Sequence, residues 1–171
     1  WELFMSSTVQ ANTEQKHYLE DPVLQKYSQN DLTRWELVYL LINQKNSNLN
    51  NIRKSDCFND TDVSVYYKEI CYAKKMWYIQ WDSNNNFNPT LEISHAAWLK
   101  LILNFHWYEV PKRALYLTYD DLQTRTWQAT YAEYAKRIGL ISESQKVFEA
   151  DINMNIHMLD EYLAKLADLK K

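Results

Sequence analysis

The chain has 171 residues, a net charge of −3 and a single glycine, where ordinary usage would supply about 12. Its length suits one domain, and a pI near 5.8 without a basic stripe argues against nucleic acid as a partner. Glycine-bearing phosphate loops and dinucleotide turns are excluded because their backbone geometry has no residue to supply it.

Residues 1–20 show little periodicity and are expected to form an extended N-terminal arm, followed by one helical domain over 21–171. Asp21-Pro22 opens a short helix that should end near Gln29, since Asp caps well and Pro suits the first helical position. Asn30 or Asp31 is expected to cap a helix over 32–44, with Trp35, Val38, Tyr39 and Ile42 at helical spacing. A polar loop over 45–61 follows. Thr61 or Asp62 then caps a helix over 62–82 striped by Val63, Tyr66, Ile70, Ala73, Trp77 and Trp81. The next helix, 91–109, carries Ala97, Trp98, Leu101, Ile102 and Phe105, and Pro111 ends it. The apolar run over 96–108 is broken by Lys100, Asn104 and His106, too short and too polar to cross a bilayer.

Thr118 and Asp121 have capping-box spacing ahead of Leu122, Trp127, Tyr131, Tyr134 and Ile138. Gly139 falls where a left-handed C-cap residue belongs. Ser142 with Gln145 opens the longest helix, 143–169, whose Phe148, Ile152, Ile156, Leu159, Leu163 and Leu166 form a near-heptad seam. No period of 20–50 residues recurs, so a solenoid is not indicated. The expectation is an all-α, irregular bundle of five or six helices. Two of them should be near 20 residues or longer, and no sheet of three strands should form.

Little chemistry is on offer. Cys57 and Cys71 read as two reduced thiols rather than a closed loop. Asn59-Asp60-Thr61 is formally a glycosylation sequon, of a kind an Asn-rich chain produces by chance. His157 and Glu161 share a helical face, but His17, His95 and His106 are scattered and no CxxC occurs, so no metal or cofactor is expected. Asp120 and Asp121 are adjacent and fit a helix's first turn better than an acid–base pair. No catalytic residue is assigned, and an enzyme is not expected. The surplus lies in the aromatics: 7 Trp, 13 Tyr and 5 Phe. Trp77, Tyr78 and Trp81 crowd one turn, and Trp98, Phe105, Trp107 and Tyr108 crowd another helix. That is more ring surface than a bundle this size buries easily, and Trp and Tyr favour interface centres. The expected partner face is Trp127, Tyr131, Phe148, Ile156, Leu159 and Leu163, along the last two helices. The alternative is a free-standing domain holding an apolar ligand in an aromatic pocket.

Residues 127–148 also resemble part of the mitochondrial ATP synthase peripheral-stalk subunit d. The likeness is carried by Trp127, Tyr131, Gly139-Leu140-Ile141, Gln145-Lys146 and Phe148. Ser142 and Gln145 stand where that family has Asp and Glu, and the spacing from Trp to Tyr is one residue longer. The resemblance implies a non-catalytic accessory subunit that clamps stalk helices on the matrix side of the inner membrane. Its partners would be protein subunits, and it would meet the membrane only through them.

Overall fold

Four of the five described helices start at a side-chain cap. The backbone and hydroxyl of Thr33 both donate to the Glu36 carboxylate at 2.7 Å. Ser94 Oγ accepts from Ala97 N, Thr126 Oγ1 from Ala129 N, and Asn155 Oδ1 from Met158 N. Each cap satisfies an N–H that has no partner within the helix. A computed structural model describes residues 31–45, 47–61, 66–80, 84–114, 116 and 119–169. Within them stand α1 (Arg34–Gln44), α2 (Tyr67–Lys75), α3 (His95–Phe105), α4 (Trp127–Arg137) and α5 (Ile156–Asp168), with a 3₁₀ turn at Lys54–Asp56. The fold is all-α. The expected arm at 1–20 and helix at 21–29 lie outside the described residues.

The helices are shorter than the apolar stripes suggest. The longest described, α5, has 13 residues, so the two helices near 20 residues do not form. The stops are left-handed residues: Trp77 (φ 61°) after α2, Trp107 (φ 59°) after α3 and Gly139 (φ 81°) after α4. The N–H of each returns to a carbonyl three residues back, which satisfies a helix-end acceptor. The C-terminal helix starts 13 residues later than Ser142 suggested. Ser142 Oγ accepts from Ser144 N in a local turn, Glu149 is left-handed (φ 58°), and Asn155 is the working cap. Asp121 caps nothing either. Its two carboxylate oxygens accept from Phe148 N at 2.9 Å and Glu149 N at 2.7 Å.

A 61-residue period organises the described residues. It is longer than the 20–50 residues at which repeats usually announce themselves. The caps Thr33, Ser94 and Asn155 are spaced by 61. The residues before them, Leu32, Ile93 and Met154, are buried and bond in a ring. Leu32 N donates to Met154 O (2.6 Å), Ile93 N to Leu32 O (2.8 Å) and Met154 N to Ile93 O (3.0 Å). Isolated bridges Thr33↔Glu92, Ser94↔Asn153 and Asp31↔Asn155 close the same circuit. The core rows obey the period too: Leu37, Trp98 and Leu159 share one layer, and Leu40, Leu101 and Tyr162 the next, all buried.

The clasps also repeat. Asp60 accepts from Phe87 N and Asn88 N as Asp121 does from Phe148 N and Glu149 N. Phe58 packs on Phe87 and Tyr119 on Phe148, both at 5.4 Å between ring centroids. Arg34 Nε donates to Phe87 O, and His95 Nδ1 bonds Phe148 O. The Asn59-Asp60-Thr61 tripeptide is therefore a structural joint, in which Asn59 Nδ2 also donates to Asn84 O. Cys57 and Cys71 are joined in a disulfide with Cα atoms 4.7 Å apart, which corrects their reading as free thiols. It ties the 3₁₀ turn to α2.

Candidate functional site

Phe148, Ile156 and Leu159 are buried in the chain's own core, which corrects their assignment to a partner face. Phe148 lies on the His95 ring at 4.2 Å, and it sits in the loop between α4 and α5 rather than on a helix. Leu163 and Tyr131 are half-buried against the core. Trp127 alone of the six is exposed, at 44 %. It makes an edge contact with Tyr131 at 6.3 Å. The structure thus brings Trp127 and Tyr131 together and separates them from the seam.

Trp127 leads to a cleft of about 170 Å³ lined by Arg34, Tyr78, Ile79, Gln80, Ile93, Ala97, Lys100, Leu101, Asn104 and Trp127. Ala97, Lys100, Leu101 and Asn104 come from one face of α3, at the i, i+3, i+4, i+7 spacing that puts side chains in line. The chain leaving α2 supplies Tyr78, Ile79 and Gln80, the first turn of α1 supplies Arg34, and the start of α4 supplies Trp127. Lys100 Nζ donates to Gln80 Oε1 at 3.0 Å. It lies 5.4 Å from the Trp127 ring and 5.7 Å from the Tyr131 ring, within cation–π reach. Burial, and next the Arg34 charge, hold the Lys100 ammonium below the usual lysine range. Asn104 Nδ2 donates to Tyr78 O. The sequence signal for this site was present in the two polar residues, Lys100 and Asn104, set into an otherwise apolar helix.

Two further tryptophans stand out. Trp77 is 69 % and Trp107 62 % exposed, and both occupy the left-handed position that follows a helix. Trp107 packs edge-on against Tyr78 at 5.4 Å, and Tyr78 also lines the cleft. Trp77 precedes Tyr78 in the chain, and Trp107 lies one turn beyond Asn104. The cleft and these tryptophans share one junction of the fold.

Elsewhere the polar groups look structural. His95 is buried, and its Nδ1–H must donate to the Phe148 carbonyl. Nε2 therefore accepts from Tyr162 OH at 2.8 Å. Burial pushes the His95 pKa below its usual value, against upward pulls from the Phe148 and Glu149 backbone and the Glu149 and Asp121 charges. Burial also pushes the Tyr162 pKa up to about 12, so its phenol stays protonated to donate. A histidine held neutral in the fold binds fewer protons than in the unfolded chain. Its contribution is present above the unfolded pKa of about 6.5 and is lost as pH falls through the lower folded value. The melting temperature is therefore expected to fall between pH 7 and pH 5, and His95→Gln should flatten that dependence. A wild-type melting curve as steep as the variant's across this range would remove His95 as the cause.

Among the described residues no three His, Cys, Asp or Glu side chains converge as a metal site, and no helix is long and apolar enough to cross a membrane. The chain matches no family model, and no curated protein matches it in sequence.

Proposed function

We propose that this chain is a non-catalytic protein-interaction domain, an accessory subunit of a larger assembly. One observation carries the reading: Trp77 and Trp107 occupy the left-handed position that Gly139 fills after α4. A left-handed backbone costs an L-residue roughly 1–2 kcal/mol, and a mostly exposed indole recovers little of that by burial. Strain retained beside exposed aromatic surface is the signature of a residue kept for contact with something else. The small cleft lends no comparable support to the alternative of an apolar ligand in an aromatic pocket, because such ligands occupy roughly 300–1,000 Å³.

The narrower role, an ATP synthase stalk subunit on the matrix side, rests on the resemblance over 127–148. Residues 142–148 form a loop rather than the start of the helix expected over 143–169, so we propose the coarser role. The Cys57–Cys71 pair supports an oxidising compartment, where disulfides persist.

The test is a pair of variants. Trp77→Gly and Trp107→Gly relieve strain, and the second gives up the Trp107–Tyr78 contact, worth about 0.5–1.5 kcal/mol. Each variant should keep its folding stability within about 1 kcal/mol of wild type. Both should lose partners captured by the full chain from native extracts and read by mass spectrometry. Unchanged capture, or recovery of the wild type as a monomer with a bound small molecule, would overturn the proposal.

A further inference from the structure

We infer that the cleft between α3 and the chain leaving α2 is an anchor pocket for a glutamate side chain of a partner protein. This rests on the interaction reading above and names the chemistry of one contact. The cleft's volume of about 170 Å³ is close to the roughly 150 Å³ that holds a benzene ring. It takes one side chain and excludes a cofactor or nucleotide.

Its charge selects which side chain. Lys100 is half-buried and meets an amide oxygen and two ring faces, with no carboxylate among the described residues in salt-bridge contact with it. A partly desolvated ammonium with no described carboxylate in contact leaves a positive potential that a partner's carboxylate would neutralise. Such charge-assisted hydrogen bonds are about twice as strong as neutral ones.

The walls select glutamate over aspartate. Ile93, Ala97 and Leu101 give an apolar stretch against which two methylenes can pack. Gln80 Oε1 already holds the Lys100 ammonium in place at 3.0 Å. Trp127, exposed at the rim, gives the partner backbone an aromatic surface to cover. Lys100 is the attracting group, and Trp127 a shield that lowers the local dielectric.

The experiment uses the full chain and two probes, N-acetyl-glutamate methylamide and N-acetyl-glutamine methylamide, followed by NMR at the Lys100 side chain and the Trp127 indole. The glutamate probe should shift both signals saturably in the millimolar range, and the uncharged probe should not. Lys100→Met, checked by thermal melting to be folded, should abolish the shifts and weaken partner capture about tenfold or more. Equal shifts from the two probes, shifts that persist in Lys100→Met, or partner capture undiminished in Lys100→Met would each overturn the anchor. The interaction reading stands apart from these outcomes, because it fails on the Trp77→Gly and Trp107→Gly capture result or on recovery of the wild type as a monomer with a bound small molecule.

Discussion

Leu159→Ala is expected to cost about 2–5 kcal/mol of folding stability and Phe148→Ala about 3–5 kcal/mol, whether or not a partner is present. Leu159 is 0 % exposed and sits in the same layer as Leu37 and Trp98, one from each turn of the repeat. Truncating it opens a hole in the buried core cluster, which close-packed neighbours can only partly fill. Phe148 touches both the His95 and the Tyr119 rings. Its backbone N–H and C=O are held by Asp121 and His95. Losing the ring would remove the surface against which that clasp closes. Trp127→Ala is the contrast: its exposed ring, with one edge contact to Tyr131 and the Lys100 ammonium 5.4 Å away, puts the cost at about 1 kcal/mol. Urea unfolding of the three variants measures the ordering directly. A loss at Leu159 as small as that at Trp127 would return the seam to an interface and refute the core assignment.

The fold class was legible because it depends on a composition that holds everywhere in the chain. One glycine leaves little except helices. The caps were not legible: Thr33, Ser94, Thr126 and Asn155 hold the helix starts, where the sequence offered Asp31, Thr61, Thr118 and Ser142. Gly139 was legible in detail, since a lone glycine after Lys136-Arg137 has one good use. The helix lengths were not legible, because the stripes continue past the true ends. Trp77 and Trp107 fit the apolar pattern of α2 and α3, and nothing in propensity marks a tryptophan as a left-handed stop. The C-terminal seam failed similarly. Phe148 and Ile152 continue the spacing of Ile156 and Leu159, yet they reach the core from an irregular loop fastened by Asp121. The 61-residue period was hidden because its rows keep size and burial but not identity: Leu37, Trp98 and Leu159, or Arg34 and His95. In the candidate site, Trp127 was legible as a candidate partner-facing aromatic, but not as the first residue of its helix, which Thr126 caps. Lys100 was visible as an interruption in an apolar run, but only the fold places Arg34, Gln80 and Trp127 around it.

Reduction of the Cys57–Cys71 disulfide is expected to remove about 3 kcal/mol of stability. That corresponds to a drop of roughly 6–12 °C in melting temperature for a domain of this size. The bond spans 14 residues, and loop closure of that length restricts the unfolded chain by about this amount. Both cysteines are buried, and Lys74, on the same helix as Cys71, donates to the Cys57 carbonyl at 2.7 Å, so local packing already favours the joined geometry. The second turn of the repeat is a built-in control. It carries no cysteine, yet Asp121, Tyr119 and Phe148 reproduce the joint that Asp60, Phe58 and Phe87 make beside the disulfide. Reduction should therefore loosen one part of the molecule and leave the helical fold standing. Amide exchange should rise in α2 well before it rises in α4. A thiol assay on denatured, unreduced protein should count no free thiols, and two after reduction. Two free thiols at the outset would show that the bond is not formed. Equal exchange in α2 and α4 after reduction would show that the disulfide supports the molecule as a whole rather than the first turn of the repeat.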